Sequence, residues 1–188
     1  MKKEELPKTI PLFPLSNFII FPKTTVPLNI FETRYIQMID DCMKGNRIIG
    51  MIQPRKTGQI QKPNLYEIGC MGKITSFNET NDGRYLIILN GLCRFRILEE
   101  LKTEKLYREC KVCYDNFELD LSSKNEENKL SELQSIFTKL KILFKKQGYI
   151  INWKDIESQN PTQTLNTLSM ASPFTLEEKQ ILLETESF

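Results

Sequence analysis

Two cysteines of this chain stand at a spacing that metal sites use. Cys110 and Cys113 form a C-x-x-C pair, and such a pair can supply half of a tetrahedral zinc site. The chain has no histidine and no second C-x-x-C. On a β-strand, an offset of three residues also points the two side chains to opposite faces. We therefore expect no metal site, and we interpret the five cysteines as free thiols of a reducing compartment.

The sequence lacks the motifs of the common enzyme classes. Without histidine, the usual general base and nucleophile partner is missing. No string matches the phosphate-binding G-x-x-x-x-G-K-[ST], and Gly69 and Gly72 fit no dinucleotide fingerprint. Serines and lysines are plentiful, so a Ser–Lys dyad stays open by count, but no local context singles out a pair. We predict a protein with no catalytic activity and no cofactor.

A charged pair beside two aromatic residues is the best candidate for a recognition site. Glu32 and Arg34 are neighbours of Phe31 and Tyr35, at the point where a predicted strand meets a predicted helix. Charge next to aromatic surface can bind a partner. The structural alternative, which the sequence favours, is that Glu32 complements the positive end of the helix while Arg34 makes a local ion pair.

Charge and hydropathy narrow the set of partners. The chain has 26 basic and 24 acidic residues and a net charge of +2, which argues against a strong electrostatic hold on nucleic acid or anionic lipid. The basic residues between positions 54 and 65 have only Tyr66 as an aromatic neighbour, too little for a base-stacking platform. No apolar run approaches the ~20 residues of a membrane span, and the N-terminus lacks the apolar core of a signal peptide. We predict a cytoplasmic protein that does not engage membranes.

The first part of the chain predicts a β-rich fold with one embedded helix. Short apolar segments at Thr9–Phe13, Asn17–Phe21 and Thr25–Ile30 are bounded or broken by prolines, so we expect edge or bent strands. Phe31–Lys44 has helical periodicity and is followed by Gly45. The predicted buried face of this helix consists of Phe31, Tyr35, Met38, Ile39 and Cys42.

More strands are predicted in the middle of the chain. Arg47–Gln53 predicts a strand, and the polar stretch Pro54–Leu65 predicts a long loop of the kind that is often functional. The next predicted strands are Gly69–Phe77, Arg84–Asn90, Cys93–Leu98 and Leu106–Tyr114.

Two glycine dipeptides predict turns between these strands. Asp82-Gly83 and Asn90-Gly91 are typical hairpin sequences, because glycine adopts positive φ without steric cost. After the second turn, strict alternation predicts one apolar face, with Arg94 and Arg96 on the opposite face.

The last third of the chain predicts helices. Asn160 followed by Pro161, and Thr175 with Glu178, are helix starts. A capping box at Ser123–Glu126 precedes an apolar stripe made of Leu130, Leu133, Phe137, Leu140 and Phe144. We predict a β-domain over residues 1–118 and a helical bundle over residues 119–188.

Several spaced motifs carry a family resemblance. They are Ile10–Leu15, Phe21-Pro22, Pro27–Glu32, Arg34-Tyr35, a block from Tyr66 to Phe95, and Pro173–Leu183. In this order they resemble the N-terminal, substrate-binding domain of Lon protease, whose first block runs approximately IPLFPL, LFP and LPLHIFEPRY. The resemblance covers nearly the whole chain. Asn29 and Thr33 depart from the family pattern.

The resemblance implies an α+β fold, in which a PUA-like β pseudo-barrel with one embedded helix precedes a C-terminal helical bundle. It implies a non-enzymatic module that engages unfolded or hydrophobic polypeptide segments as an adaptor or quality-control factor. It also implies a stand-alone form without the Lon ATPase and peptidase, with a full-length Lon protease as a further partner. The polypeptide-binding residues we predict are Ile30, Phe31, Glu32, Arg34, Tyr35, Arg55 and Ile60, the last two in the loop Pro54–Pro63.

Two other hypotheses stay open. The first is that a PUA-like barrel binds RNA or a small molecule, although the near-neutral charge counts against RNA. The second is that the protein is an accessory of a Lon-type peptidase, a role that would be assigned to it through homology alone.

Overall fold

A closed ring of strands forms the body of the protein. The computed structural model describes residues 5–58, 62–121, 130–149, 151–153, 156 and 160–185. Its strands are β1 (Thr9–Pro14), β2 (Thr25–Ile30), β3 (Ile48–Ile52), β4 (Pro54–Gly58), β5 (Pro63–Leu65), β6 (Ile68–Glu79), β7 (Tyr85–Glu100) and β8 (Arg108–Cys113). The main sheet has the order β2-β7-β6-β3-β1-β8, and β7 pairs with β8 as well. This second pairing closes a pseudo-barrel, and leaves β2 attached to β7 outside the ring.

Strand β7 makes the closure possible because it is 16 residues long. Its first half pairs with β2, with Ile30 opposite Tyr85 and Thr25 opposite Asn90, while its last residues pair with β8. The predicted turn at Asn90-Gly91 is therefore wrong. A glycine is needed there for close packing, since a Cβ at residue 91 would collide with the carbonyl oxygen of Phe21. The other predicted turn is confirmed, with Gly83 at a φ of 77°.

The helices are α1 (Thr33–Met43), α2 (Leu130–Lys146), α3 (Pro161–Ala171) and α4 (Leu176–Glu184), and a 3-10 turn spans Glu118–Leu121. The Asn160 side chain accepts hydrogen bonds at the start of α3, and Thr175 and Glu178 form a capping box at the start of α4, so both predicted helix starts are confirmed. The predicted box at Ser123–Glu126 lies outside the described residues. None of the described helices combines the length and apolar character of a membrane span.

The core lies inside the ring and beneath α1. Tyr35, Met38, Ile39 and Cys42 of α1 are buried as predicted. Phe31 is not: its side chain is 67% exposed. The helix begins two residues after it, so Phe31 does not share the helical face. The fully buried residues of the strands include Ile10, Leu12, Ile49, Met71, Ile74 and Phe95.

Two predicted segments have different structures. Asn17–Phe21 is irregular rather than a strand, although Ile19, Ile20 and Phe21 are buried. The predicted loop Pro54–Leu65 contains a two-stranded sheet in which β4 pairs with β5, with Pro54 opposite Leu65. A short polar hairpin outside the core has no apolar alternation, so its sequence does not reveal its strands.

A buried arginine joins α4 to the barrel. Arg94 is 5% exposed, although alternation placed it on the polar face. Its Nε and Nη2 donate to the two carboxylate oxygens of Asp120, both at 2.9 Å. Its Nη1 donates to the carbonyl oxygens of Leu183 and Thr185 at the end of α4, and its guanidinium lies 4.6 Å from the centre of the Phe117 ring. The C-terminal segment thus covers the polar face of β7 at Arg94.

Candidate functional site

The most exposed aromatic ring among the described residues belongs to Phe31. It follows β2 directly and precedes α1. Residues on both sides of it in the sequence are anchored in the core. Ile30 ends β2 and is buried. Tyr35, in the first turn of α1, packs edge-on against the Phe13 ring with the ring centres 4.4 Å apart. The ring of Phe31 is therefore presented to solvent by a rigid corner.

Glu32 and Arg34 form an ion pair beside this ring. The Arg34 Nη2 atom is 2.8 Å from the Glu32 carboxylate, and the guanidinium lies 4.6 Å from the centre of the Tyr35 ring. Glu32 occupies the N-cap position of α1, but its side chain makes no capping hydrogen bond. The local ion pair is confirmed. Both side chains remain about half exposed, so a partner can reach them.

Strand β2 carries two further features of a binding surface. It is the end strand of the main sheet, so no strand among the described residues pairs with its outer edge. Its neighbour β7 exposes Leu86 and Ile88, which lie opposite Asn29 and Pro27 in the register. We call the outer edge of β2 together with Phe31, Leu86 and Ile88 the β2 surface.

Arg55, another predicted site residue, lies in a different place. It lines an open cleft of about 560 Å³ whose walls contain no residue of the Ile30–Tyr35 segment. The cleft runs between the β4–β5 hairpin and the start of α4, and it is lined by Ser16, Gln53, Pro54, Arg55, Lys56, Thr57, Pro63, Tyr66, Leu176 and Glu177. Ile60 lies outside the described residues.

Sequence reasoning missed Gln53, which the structure places in this cleft. It directly follows β3 and is 6% exposed. Its Nε2 donates to the carbonyl oxygen of Ser16 at 3.3 Å, but its Oε1 has no hydrogen-bond partner among the residues that the structure describes. A lone glutamine at a strand end carries no sequence signal that would have singled it out.

Three of the cysteines do not offer a reactive thiolate. Burial raises the pKa of Cys42 and Cys93 to about 12 and that of Cys110 to about 11, so these thiols stay protonated at neutral pH and are poor nucleophiles and metal ligands. Cys110 is buried and Cys113 is half-buried on β8. The described residues contain no group of three or more potential ligands that could hold a metal ion.

A comparison with protein families identifies the fold's relatives. A family model for the substrate-binding domain of ATP-dependent protease La (LON) matches residues 9–188. The Lon protease of Dictyoglomus thermophilum is 25% identical over 186 residues, which are 97% of this chain and 23% of that protein. Lon protease 2 of Myxococcus xanthus is 30% identical over 130 residues, 68% of this chain and 15% of that protein. The chain thus spans less than a quarter of these relatives.

Solved structures give the same result at the level of the fold. The Lon N-terminal domain protein from Xanthomonas campestris has a TM-score of 0.66 with 20% identity, covering 95% of this chain and 91% of that one. The N-terminal domain of the Mycobacterium avium complex Lon protease has a TM-score of 0.62 with 17% identity, covering 95% and 90%. The predicted α+β fold is confirmed.

Proposed function

Because the chain belongs to the Lon substrate-binding domain family, we propose that it is a non-catalytic module that binds unfolded polypeptide segments through the β2 surface. One observation carries this proposal: a phenylalanine 67% exposed at the end of a strand whose outer edge pairs with no other strand of the described residues. Single exposed apolar residues are ordinary. Here an exposed ring, two exposed aliphatic side chains and a free strand edge lie together.

The β2 surface suits an extended chain. Main-chain groups at the edge of a sheet can pair with an added strand, which supplies affinity without demanding a sequence. Pro27 provides no N–H to such pairing, so the added strand would be held on either side of it. The exposed ring of Phe31 and the two exposed aliphatic side chains would then select apolar side chains, the kind that unfolded proteins expose.

Glu32 and Arg34 would act at the margin of this surface. Their ion pair is exposed, and exposed pairs contribute about 0–1 kcal/mol to stability, so the two side chains can exchange partners at low cost. Ile30 and Tyr35 are buried and would contribute by holding Phe31 in place rather than by touching the polypeptide.

We place this activity in a reducing compartment, the cytoplasm, because all five cysteines are free and such thiols persist where disulfides do not form. An adaptor or quality-control role, with a full-length Lon protease as partner, follows from the family alone. The division of the chain into a β-domain over residues 1–118 and a helical bundle over residues 119–188 also stays a prediction.

Binding of a permanently unfolded protein tests the proposal. Reduced, carboxymethylated α-lactalbumin, labelled with fluorescein, should bind the protein, while native α-lactalbumin should not. Phe31→Ser should weaken binding about tenfold, the size expected for losing one aromatic anchor of roughly 1–2 kcal/mol. The matched control is Ile181→Ser on α4, which removes an apolar side chain 65% exposed. Equal losses in the two variants would refute the β2 surface as the binding site.

A further inference from the structure

The cleft beside the β4–β5 hairpin contains an acceptor that the protein itself does not satisfy. The Gln53 side chain is more than nine-tenths buried, one end of its amide is fixed by the Ser16 carbonyl, and Oε1 has no partner among the described residues. A buried polar atom without a hydrogen bond destabilises the protein, because it has lost its water partners and gained none in exchange. Turning the amide over would not help, because Oε1 would then face the carbonyl oxygen of Ser16. A ligand that donates an N–H to Oε1 would remove this cost, and the side chains around the atom must move to admit it, because Oε1 itself has almost no accessible surface.

The same cleft presents an oriented guanidinium. Arg55 Nε donates to the carbonyl oxygen of Leu65 at 3.2 Å, and the guanidinium lies 4.8 Å from the centre of the Tyr66 ring. These two contacts hold the group across the hairpin. No carboxylate of the described residues makes an ion pair with it, whereas the adjacent Lys56 is paired with Glu177 at 2.7 Å. The terminal nitrogens of Arg55 are therefore available to a carboxylate from outside.

From these two features we propose that the cleft binds an extended peptide segment that carries an acidic side chain. A main-chain N–H of the peptide donates to Gln53 Oε1, and the carboxylate accepts from Arg55. A peptide supplies both groups at once, since every residue except proline has an N–H. The volume of about 560 Å³ falls within the range of ligand sites, roughly 300–1,000 Å³.

Charge in the cleft agrees with this ligand. Arg55 and Lys56 are basic and Glu177 is the acidic residue among the lining residues, so the lining carries one net positive charge. Pro54, Pro63 and Leu176 also line the cleft, and their apolar surfaces can contact the body of the peptide. The cleft would thus add a preference for acidic peptides to a protein whose β2 surface recognises any extended, apolar segment.

This inference takes its ligand class from the proposed function but uses a different surface, so the two can fail separately. The probe is the peptide Gly-Ser-Ala-Glu-Ala-Ser-Gly, chosen without large apolar residues so that it offers nothing to Phe31. The matched probe has glutamine in place of glutamate. Each is titrated into isotope-labelled protein, and chemical shifts are followed for the Gln53 side-chain amide, Arg55 Nε–H and the Tyr66 backbone amide.

We expect the acidic peptide to shift all three resonances and to bind about tenfold more tightly than the glutamine peptide. Arg55→Gln should remove this preference, whereas Arg84→Gln, at the exposed β6–β7 turn, should not. Gln53→Met keeps the side-chain size and should weaken both peptides by a similar factor; its thermal midpoint shows whether it remains folded. Because Arg55 is exposed, Arg55→Gln tests the proposal even if the Gln53 variant does not fold.

Three results would overturn the inference. The first is equal binding of the two peptides to the unchanged protein. The second is saturation of the same resonances by N-methylacetamide at concentrations below those of the peptide, which would make the cleft a small-amide site. The third is loss of acidic-peptide binding in Phe31→Ser, which would move the peptide to the β2 surface and leave the proposed function intact.

Discussion

The barrel and helix α2 are held in place in very different ways. In the barrel, strands pair on both sides and residues such as Ile10, Leu12 and Phe95 are fully buried. Along residues 134–146 of α2, Phe144 alone is buried, and Ile142 is 53% exposed. Phe144 touches the rings of Tyr149 and Trp153, with ring centres 5.6 and 5.8 Å away. The barrel is stabilised by a shared core, whereas the one fully buried side chain in this described part of α2 packs in an aromatic group outside that core.

Helix α4 shows that a C-terminal helix can nevertheless join the barrel. Gln180 donates to the carbonyl oxygen of Ile68 on β6 at 3.0 Å, and Arg94 binds the carbonyls at the end of α4. Polar contacts between residues far apart in the sequence therefore join α4 to the barrel, so that the two can unfold as one cooperative unit. We expect α4 to unfold with the barrel and α2 to open at lower free energy.

The contacts of Arg94 with Asp120 and with the carbonyl oxygens at the end of α4 form what we call the Arg94 junction. The largest expected effect comes from breaking it. Arg94→Met leaves the Asp120 carboxylate buried without its cation, so the free energy of unfolding should fall by about 3–5 kcal/mol. Urea denaturation followed by circular dichroism measures this loss. Adding Asp120→Asn removes the buried charge and should restore part of the stability.

Arg96→Met is the matched control, two residues along the same strand. Its ion pair with Glu67 is largely exposed, so the loss should be at most about 1 kcal/mol. If the two arginine variants lose the same stability, the junction contributes nothing special and α4 is held only by its apolar contacts.

A smaller loss is expected from closing the space at Gly91. In Gly91→Ala the new methyl group would press against the Phe21 carbonyl oxygen, so strand β7 must shift, at a cost of about 1–3 kcal/mol. Gly45→Ala is the control, because its nearest heavy atom lies 3.8 Å away. An unchanged thermal midpoint in Gly91→Ala would show that the barrel accommodates the added methyl group without losing stability.

Phe144→Ala tests α2 alone. Hydrogen exchange of the amides in α2 should accelerate, while exchange in β3, β6 and β7 stays as it was, because the ring packs outside the barrel core. Faster exchange in both regions would mean that α2 and the barrel form one cooperative unit, contrary to the comparison above.

A decline of stability is also expected in alkali. Burial raises the pKa of Cys42 and Cys93 to about 12, above the ordinary 9.0. Their thiols are protonated in the folded state and ionise first in the unfolded chain, so their contribution is present below pH 9.0 and is lost as pH rises toward about 12. The thermal midpoint should fall over this window, and less steeply in Cys93→Ala. An equal slope in the variant would contradict this linkage.

Sequence patterns predicted the parts of the fold that local chemistry controls. The caps at Asn160 and Thr175, the turn at Gly83 and the buried face of α1 depend on neighbours in the chain, and all are present except that Phe31 does not belong to the buried face. Gly91 was misread because the same residue type serves tight turns and close backbone approach. Only the three-dimensional position of Phe21 distinguishes the two.

The candidate sites were predicted less completely, for a related reason. Phe31, Glu32 and Arg34 were found because charge and aromatic residues adjoin in the sequence. Gln53 was not, because its importance lies in an unsatisfied atom that appears only once Ser16 and the hairpin are placed around it. Arg94 was placed on the face opposite the apolar one, but alternation reports only that there are two faces and cannot show that the second is covered at Arg94.

The Arg94 junction has a consequence for the order of synthesis. Its carbonyl partners lie 89 and 91 residues further along the chain, whereas Asp120 lies 26 residues away. During translation the arginine and its carboxylate can meet long before α4 emerges from the ribosome. Until then, the barrel would lack the two hydrogen bonds that the Arg94 guanidinium donates to the end of α4. Docking of α4 would be a late, long-range step of the kind that slows folding.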